Sequence, residues 1–148
     1  MTTPLQEHNI EIQKNLQLWK KKPLLRKVYA DFYQTIAHHL RQDLNGLTIE
    51  IGSGTGNIKD AIPTCIRTDL FPNPWVDRVE NAYILSFMDA SVATLILFDV
   101  FHHLRYPGTA IQEFHRVLVP GGRVIIFDPF ISLAGRLIYG FFHHEPIA

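Results

Sequence analysis

The sequence predicts an α/β domain built on a mostly parallel sheet, and three observations predict it. From Leu47 onward, short apolar runs alternate with loops and helical stretches, the pattern of strands joined by crossovers in a layered domain. The run 94–98, Thr-Leu-Ile-Leu-Phe, is continuous rather than alternating, as in a strand covered on both faces. The first apolar run, 47–51, enters a loop with glycines at alternate positions. The chain has 148 residues, 47% of them hydrophobic and 19% charged, which suits a single domain. A chain of this size buries close to 70% of its unfolded surface and needs no disulfide or structural metal. Cys65 is the single cysteine, so no internal disulfide is available and a reducing, cytoplasmic setting is expected.

The elements follow in order. Ile10, Ile12, Leu16, Leu18 and Trp19 suggest a weakly amphipathic first helix. Leu24, Leu25, Val28, Tyr29, Phe32, Ile36 and Leu40 recur at helical spacing. Pro23 opens this second helix and Asn45-Gly46 closes it. Lys20, Lys21, Lys22, Arg26 and Lys27 lie between the two and read as a solvated junction, with contact to a phosphate-bearing substrate as the lesser alternative. Strands are expected at 47–51, 65–69, 76–80, 94–98 and 123–127. Between the first two, Pro63 leaves room for about a turn and a half of helix at 58–62. Ile111, Phe114, Val117 and Leu118 share one face of a helix that ends at Pro120-Gly121-Gly122.

Several function classes are set aside by composition. Fourteen basic residues against fourteen acidic ones leave no global field to steer the chain onto nucleic acid or an anionic membrane. No stretch reaches the roughly 18 apolar residues of a membrane span, and residues 1–12 lack the pattern of a secretory signal.

The most informative segment is Glu50-Ile51-Gly52-Ser53-Gly54-Thr55-Gly56-Asn57. Glycines there let backbone approach a ligand closely, because they lack Cβ and tolerate positive φ. The dinucleotide fingerprint would need glycine where Asn57 stands, which argues against a nicotinamide oxidoreductase. A phosphate-binding Walker loop is excluded as well, since no Gly-Lys-Ser/Thr follows. Asp69 stands at the end of the second expected strand, where a carboxylate can accept bonds from both hydroxyls of a ribose. Together, loop and acid describe a nucleoside site.

With these residues the chain resembles the class I S-adenosylmethionine-dependent methyltransferases, in particular the small-molecule type called methyltransferase type 11. Four blocks carry the resemblance: Glu50 to Gly56, Asp69, the run Leu97-Phe98-Asp99-Val100-Phe101-His102-His103-Leu104, and Arg116-Val117-Leu118-Val119-Pro120-Gly121-Gly122-Arg123. The resemblance implies a Rossmann-like three-layer α/β sandwich with sheet order 3-2-1-4-5. It divides the single domain into a helical lid, 1–46, and a cofactor-binding core, 47–148. It implies S-adenosyl-L-methionine as cofactor, held by Glu50, Gly52, Ser53, Gly54, Gly56, Asp69, Leu70, Asn81, Ala82, Phe98 and Asp99, and a small-molecule methyl acceptor. One departure stands out: Asn81 occupies the place of the family's adenine-binding acid, and an amide oxygen accepts a bond without the carboxylate's charge.

Methyl transfer from a sulfonium is a direct displacement, which mainly requires a nucleophile held in line and water kept out. A base is needed only for a protonated acceptor. His102 and His103 follow the fourth strand, where open α/β sheets place ligands, and are the candidate catalytic bases; capping of a helix or contact with the cofactor rim is the competing role. Trp19, Tyr29 and Tyr33 read either as an aromatic lid over the acceptor or as core. No metal is expected, because His38-His39, His102-His103 and His143-His144 are adjacent pairs whose side chains diverge. The alternative to an enzyme is a truncated or non-catalytic methyltransferase-like domain acting through binding. The resemblance implies two further strands beyond the fifth, whereas 131–148 fits one apolar helix with Leu133, Leu137, Ile138, Phe141 and Phe142. Strand five then stands as a bare edge, and three alternatives follow: a fragment of a longer chain, a homodimer through that edge, or a reduced sheet.

Overall fold

The computed structural model describes residues 3–128. Its elements are α1 (Pro4–Lys21), α2 (Pro23–His38), β1 (Leu47–Ile51), β2 (Ile66–Asp69), β3 (Arg78–Val79), β4 (Val92–Phe98), α3 (Pro107–Val117) and β5 (Leu118–Phe127). Short 3-10 turns occupy Asn57–Asp60 and Phe101–His103. The five strands form one sheet in the order β3-β2-β1-β4-β5, and every pair is parallel.

The sheet is covered on both faces. Along β4, Val92, Leu95 and Leu97 pack with Ile49 and Ile51 of β1 against Ala110, Phe114 and Val117 of α3. Ile96 points the other way, with Phe98, toward Tyr33 and Ile36 of α2 and Ile58 and Ile62 beyond the glycine loop. That alternation produces the three layers, because successive strand side chains face opposite sides. It also puts Glu50, between Ile49 and Ile51, on the α2 side.

The two amino-terminal helices have local causes. Thr3 and Gln6 form a reciprocal capping box that opens α1. The Arg26 guanidinium donates to the carbonyls of Trp19 and Lys20, satisfying groups that the end of α1 leaves open. One member of the basic junction thus ties the two helices together. Pro23 begins α2 as expected, but α2 ends at His38, short of Asn45-Gly46. There the backbone N–H of Arg41 bonds the Thr94 hydroxyl at 3.2 Å and its guanidinium bonds the Gly121 carbonyl at 2.6 Å. Tertiary bonds to the sheet hold this segment in place of another helical turn.

Three further boundaries differ from expectation. β5 begins at Leu118, immediately after α3, and Val119 to Gly122 bulge out between the pairs Val92↔Leu118 and Thr94↔Arg123. Gly121 has φ of 79° and a Cβ on Gly122 would lie 2.9 Å from the Val119 carbonyl, so Pro120-Gly121-Gly122 serves a bulge inside the strand as well as the helix end. β3 shrinks to two residues because the Asp77 carboxylate, not a strand ladder, receives the Arg67 N–H at 2.9 Å, with Lys59 on its other side. After Gly56 the chain makes a 3-10 turn rather than the expected helical turn and a half.

Among the described residues β5 is an edge strand, and no helix is long and apolar enough to cross a membrane. The expected helix at 131–148 lies outside the described residues.

Candidate functional site

The carboxyl ends of β1 and β2 bring the glycine loop and Asp69 together. Gly52, Gly54 and Gly56 all adopt left-handed φ, at 72°, 51° and 68°, a region that penalises any Cβ. At Gly52 a Cβ would lie 2.5 Å from a Val100 methyl, and at Gly56 it would lie 2.6 Å from the Trp75 carbonyl. Those two glycines are needed by the protein's own packing. Beside Gly54 a Cβ would meet only Ile12 of α1, at 3.6 Å. The loop is pinned to β2 by Ser53 N–H on the Thr68 carbonyl at 2.8 Å. Gly54 N–H donates to Asp69 Oδ2 at 2.9 Å and Phe71 N–H to Oδ1 at 3.3 Å. Asp69 is therefore buried, oriented and still able to accept further bonds, since a carboxylate offers about four lone-pair directions.

Two polar atoms nearby have no hydrogen-bond partner among the described residues: Glu50 Oε2 and His8 Nε2, both buried. Burial pushes the Glu50 carboxyl up to about 7, against the opposing pull of Ser53 and Arg67, with Asp69 adding to the rise. His8 comes from α1. Its Nε2 stands 3.8 Å from Asp69 Oδ1, and its ring lies against Phe71 with centroids 5.0 Å apart. With Ile12, also buried, it sets α1 directly on the glycine loop.

A second cluster forms where β4 and β5 end side by side. Asp128 accepts the backbone N–H groups of Val100 and His102 at 3.1 and 3.0 Å. Its Oδ2 lies 3.3 Å from His102 Nδ1, while His102 Nε2 faces Asp99 at 4.0 Å. The His102 and His103 rings are in tilted contact, with centroids 4.0 Å apart and planes at 42°. For this pair the expectation that adjacent histidines diverge is corrected: within the 3-10 turn Phe101–His103 consecutive side chains stand about 120° apart rather than on opposite faces as in a strand, and the two rings lean into contact. Asp99, itself at φ 59°, joins His102 and Asp128 in offering ligand atoms within 4.8 Å of one another. Spacing along the chain did not reveal this group. The signal that would have found Asp128 is its place directly after the fifth strand, the position that made Asp69 notable after the second.

The other expected site residues are dispersed. Leu70 is exposed. Asn81 is exposed and its Oδ1 already accepts the Tyr83 N–H at 2.9 Å. Ala82 is buried in the apolar layer beneath β1 and β4. Phe98 is the centre of an aromatic cluster with Tyr29, Phe32, Tyr33 and Phe127 at centroid distances of 5.1 to 6.0 Å. Trp19 meets the edge of this group through Tyr29, so the aromatics of α1 and α2 pack the α2 layer. Burial beside Asp99 raises the Tyr29 phenol. Arg116, the first residue of the fourth sequence block, bonds Glu113 and the carbonyls of Leu85 and Phe87, fastening the loop before β4 to α3. A groove elsewhere, lined by Arg41, Gly46, Thr48 and Thr64 among others, opens at the amino ends of the strands and includes no residue of the glycine loop.

A family model described as a methyltransferase domain matches residues 49–126. No curated protein sequence matches the chain. Among solved structures, a SAM-dependent methyltransferase from Thermotoga maritima superposes with a TM-score of 0.60 at 21% identity, covering 78% of this chain and 58% of that one. Geranyl diphosphate C-methyltransferase from Streptomyces coelicolor A3(2), solved with Mg2+, geranyl diphosphate and S-adenosyl-L-homocysteine, gives 0.57 at 16% identity, covering 80% and 54%. The [4+2]-cyclase SpnF gives 0.57 at 20% identity, covering 72% and 47%. The chain thus spans roughly half the length of each of these proteins. At such identities the likeness concerns the fold, and one fold hosts more than one reaction.

Proposed function

The chain belongs to the methyltransferase domain family, and from that premise we propose that it binds S-adenosyl-L-methionine at the ends of β1 and β2 and methylates a small organic molecule in the cytoplasm. The observation that carries this reading is the bond from Gly54 N–H to Asp69, 2.9 Å long, which fixes a carboxylate beside a glycine loop with acceptor capacity to spare. The residues present fit the cofactor. Asp69 suits ribose hydroxyls, Glu50 Oε2 and His8 Nε2 have no partner among the described residues, and at Gly54 only the end of the Ile12 side chain lies in the way of close backbone approach.

When bound, the cofactor supplies a methyl group on a sulfonium, open to direct displacement. The chain's own part is to position and to shield. The Gly52–Gly56 loop holds the methionine end, and α1 keeps water from it. At the neighbouring strand ends Asp128 braces His102 through Nδ1, leaving Nε2 to take a proton from an oxygen or nitrogen acceptor. His103, in tilted contact with His102, limits how that ring turns.

Calorimetric titration with S-adenosyl-L-methionine and its demethylated product tests the reading. Binding is expected, weakened by about 1–3 kcal/mol in Asp69→Ala through loss of charge-assisted bonds; no heat from either ligand in the parent removes it. One observation favours a second reading, a non-catalytic domain: Ile12 already sits against Gly54, in the loop that would hold the methionine end. Under that reading the cofactor binds weakly or not at all, and no labelled methyl group reaches any of a panel of hydroxylated and amino small molecules. The free edge of β5 among the described residues supports a homodimer, which a monomer in light scattering would exclude.

A further inference from the structure

We propose that His8 is a ribose-binding residue, so that α1 completes the nucleoside site instead of only covering it. This rests on the cofactor reading above. Nε2 of His8 is buried and has no hydrogen-bond partner among the described residues, although burying such a group unpaired is costly. Its nearest charged neighbour is Asp69 Oδ1 at 3.8 Å, beyond hydrogen-bond length. Two legs of roughly 2.8 Å meet at near-tetrahedral directions on one hydroxyl oxygen when their ends lie about 4.6 Å apart. Nε2 is closed to solvent at the present 3.8 Å, so α1 rides outward by about 0.8 Å as the hydroxyl enters between them. The hydroxyl donates to Asp69, and His8 Nε2–H donates to the hydroxyl.

The rest of the environment keeps His8 in place for this contact. Its ring rests on Phe71, the residue whose own N–H holds Asp69 Oδ1. One turn further along α1, Ile12 is seated by Gly54, whose N–H holds Oδ2. Histidine and carboxylate are thus braced by the same two segments, and both are directed at one point above the end of β2. The sequence does not announce this, because His8 lies in an isolated polar stretch about sixty positions from its partner.

The test compares S-adenosylhomocysteine with its 2′,3′-dideoxyribose analogue, measuring Kd for both with the parent, His8→Phe and His8→Gln. The readout is the ratio of the two affinities, which the fraction of folded protein does not change. Loss of one hydrogen bond lowers the preference for the hydroxylated ligand about 5- to 10-fold in His8→Phe, and His8→Gln, which keeps an N–H donor, recovers part of it. An unchanged ratio in both variants overturns the role of His8 and leaves the cofactor reading intact. Failure of the parent to bind S-adenosylhomocysteine overturns both.

Discussion

Replacing Glu50 by glutamine should stabilise the protein at alkaline pH and flatten its dependence on pH. Burial raises the Glu50 carboxyl from 4.5 to about 7. A raised carboxyl favours the protonated folded state, so its contribution is fully present below pH 4.5, fades as pH rises, and is lost above about 7. A shift of about 2.5 units (7 − 4.5) at 1.36 kcal/mol per unit corresponds to about 3 kcal/mol in all. Between pH 5 and pH 8 the parent should lose about 2.5 kcal/mol relative to Glu50→Gln by the same linkage. The other displaced groups titrate elsewhere: Asp43, Asp77 and Glu113 are held low by arginine partners, and Tyr33 and Cys65 are raised by burial. Urea unfolding of both proteins at several pH values measures the difference. A constant packing cost of the amide cancels, since only the change with pH counts. Parallel profiles across this range would refute the reasoning, showing that Glu50 is hydrated or paired in solution.

Other expectations are simpler. Gly56→Ala should destabilise by about 2 kcal/mol or more, from the left-handed backbone and the contact with the Trp75 carbonyl, whereas Gly108→Ala, in the first turn of α3 with open space around it, should be neutral or stabilise by about 0.5 kcal/mol; denaturation midpoints decide both. Phe114→Ala should cost about 3–5 kcal/mol, because the ring is fully buried between α3 and the sheet, and a smaller loss would mean that this layer collapses to refill the space. Cys65, buried with its thiol raised by burial, should react with a thiol reagent only at the rate of opening, so labelling that is fast under native conditions would contradict the packing of the α2 layer.

Much of this protein was legible because its signals are local. A continuous apolar run means a doubly covered strand, and β4 is that strand. Glycines before a helical turn mean a left-handed loop, and Gly52, Gly54 and Gly56 adopt it. Asp69 could be located because a strand end is recognisable by its hydrophobic run. The boundaries that moved were set by partners far along the chain: Thr94 and Gly121 hold Arg41 where α2 stops, and Asp77 takes the amide that would have extended the pairing of β3.

The sequence by itself determined the fold class, the order of elements and the glycine loop with its acid, since backbone sterics and hydrophobic period act over a few residues. Only the tertiary structure decided which side chains share a site. His8 reaches Asp69, and Asp128 reaches His102, through the docking of α1 and the parallel pairing of β5 with β4. Those distances come from packing many residues at once, and no spacing along the chain encodes them.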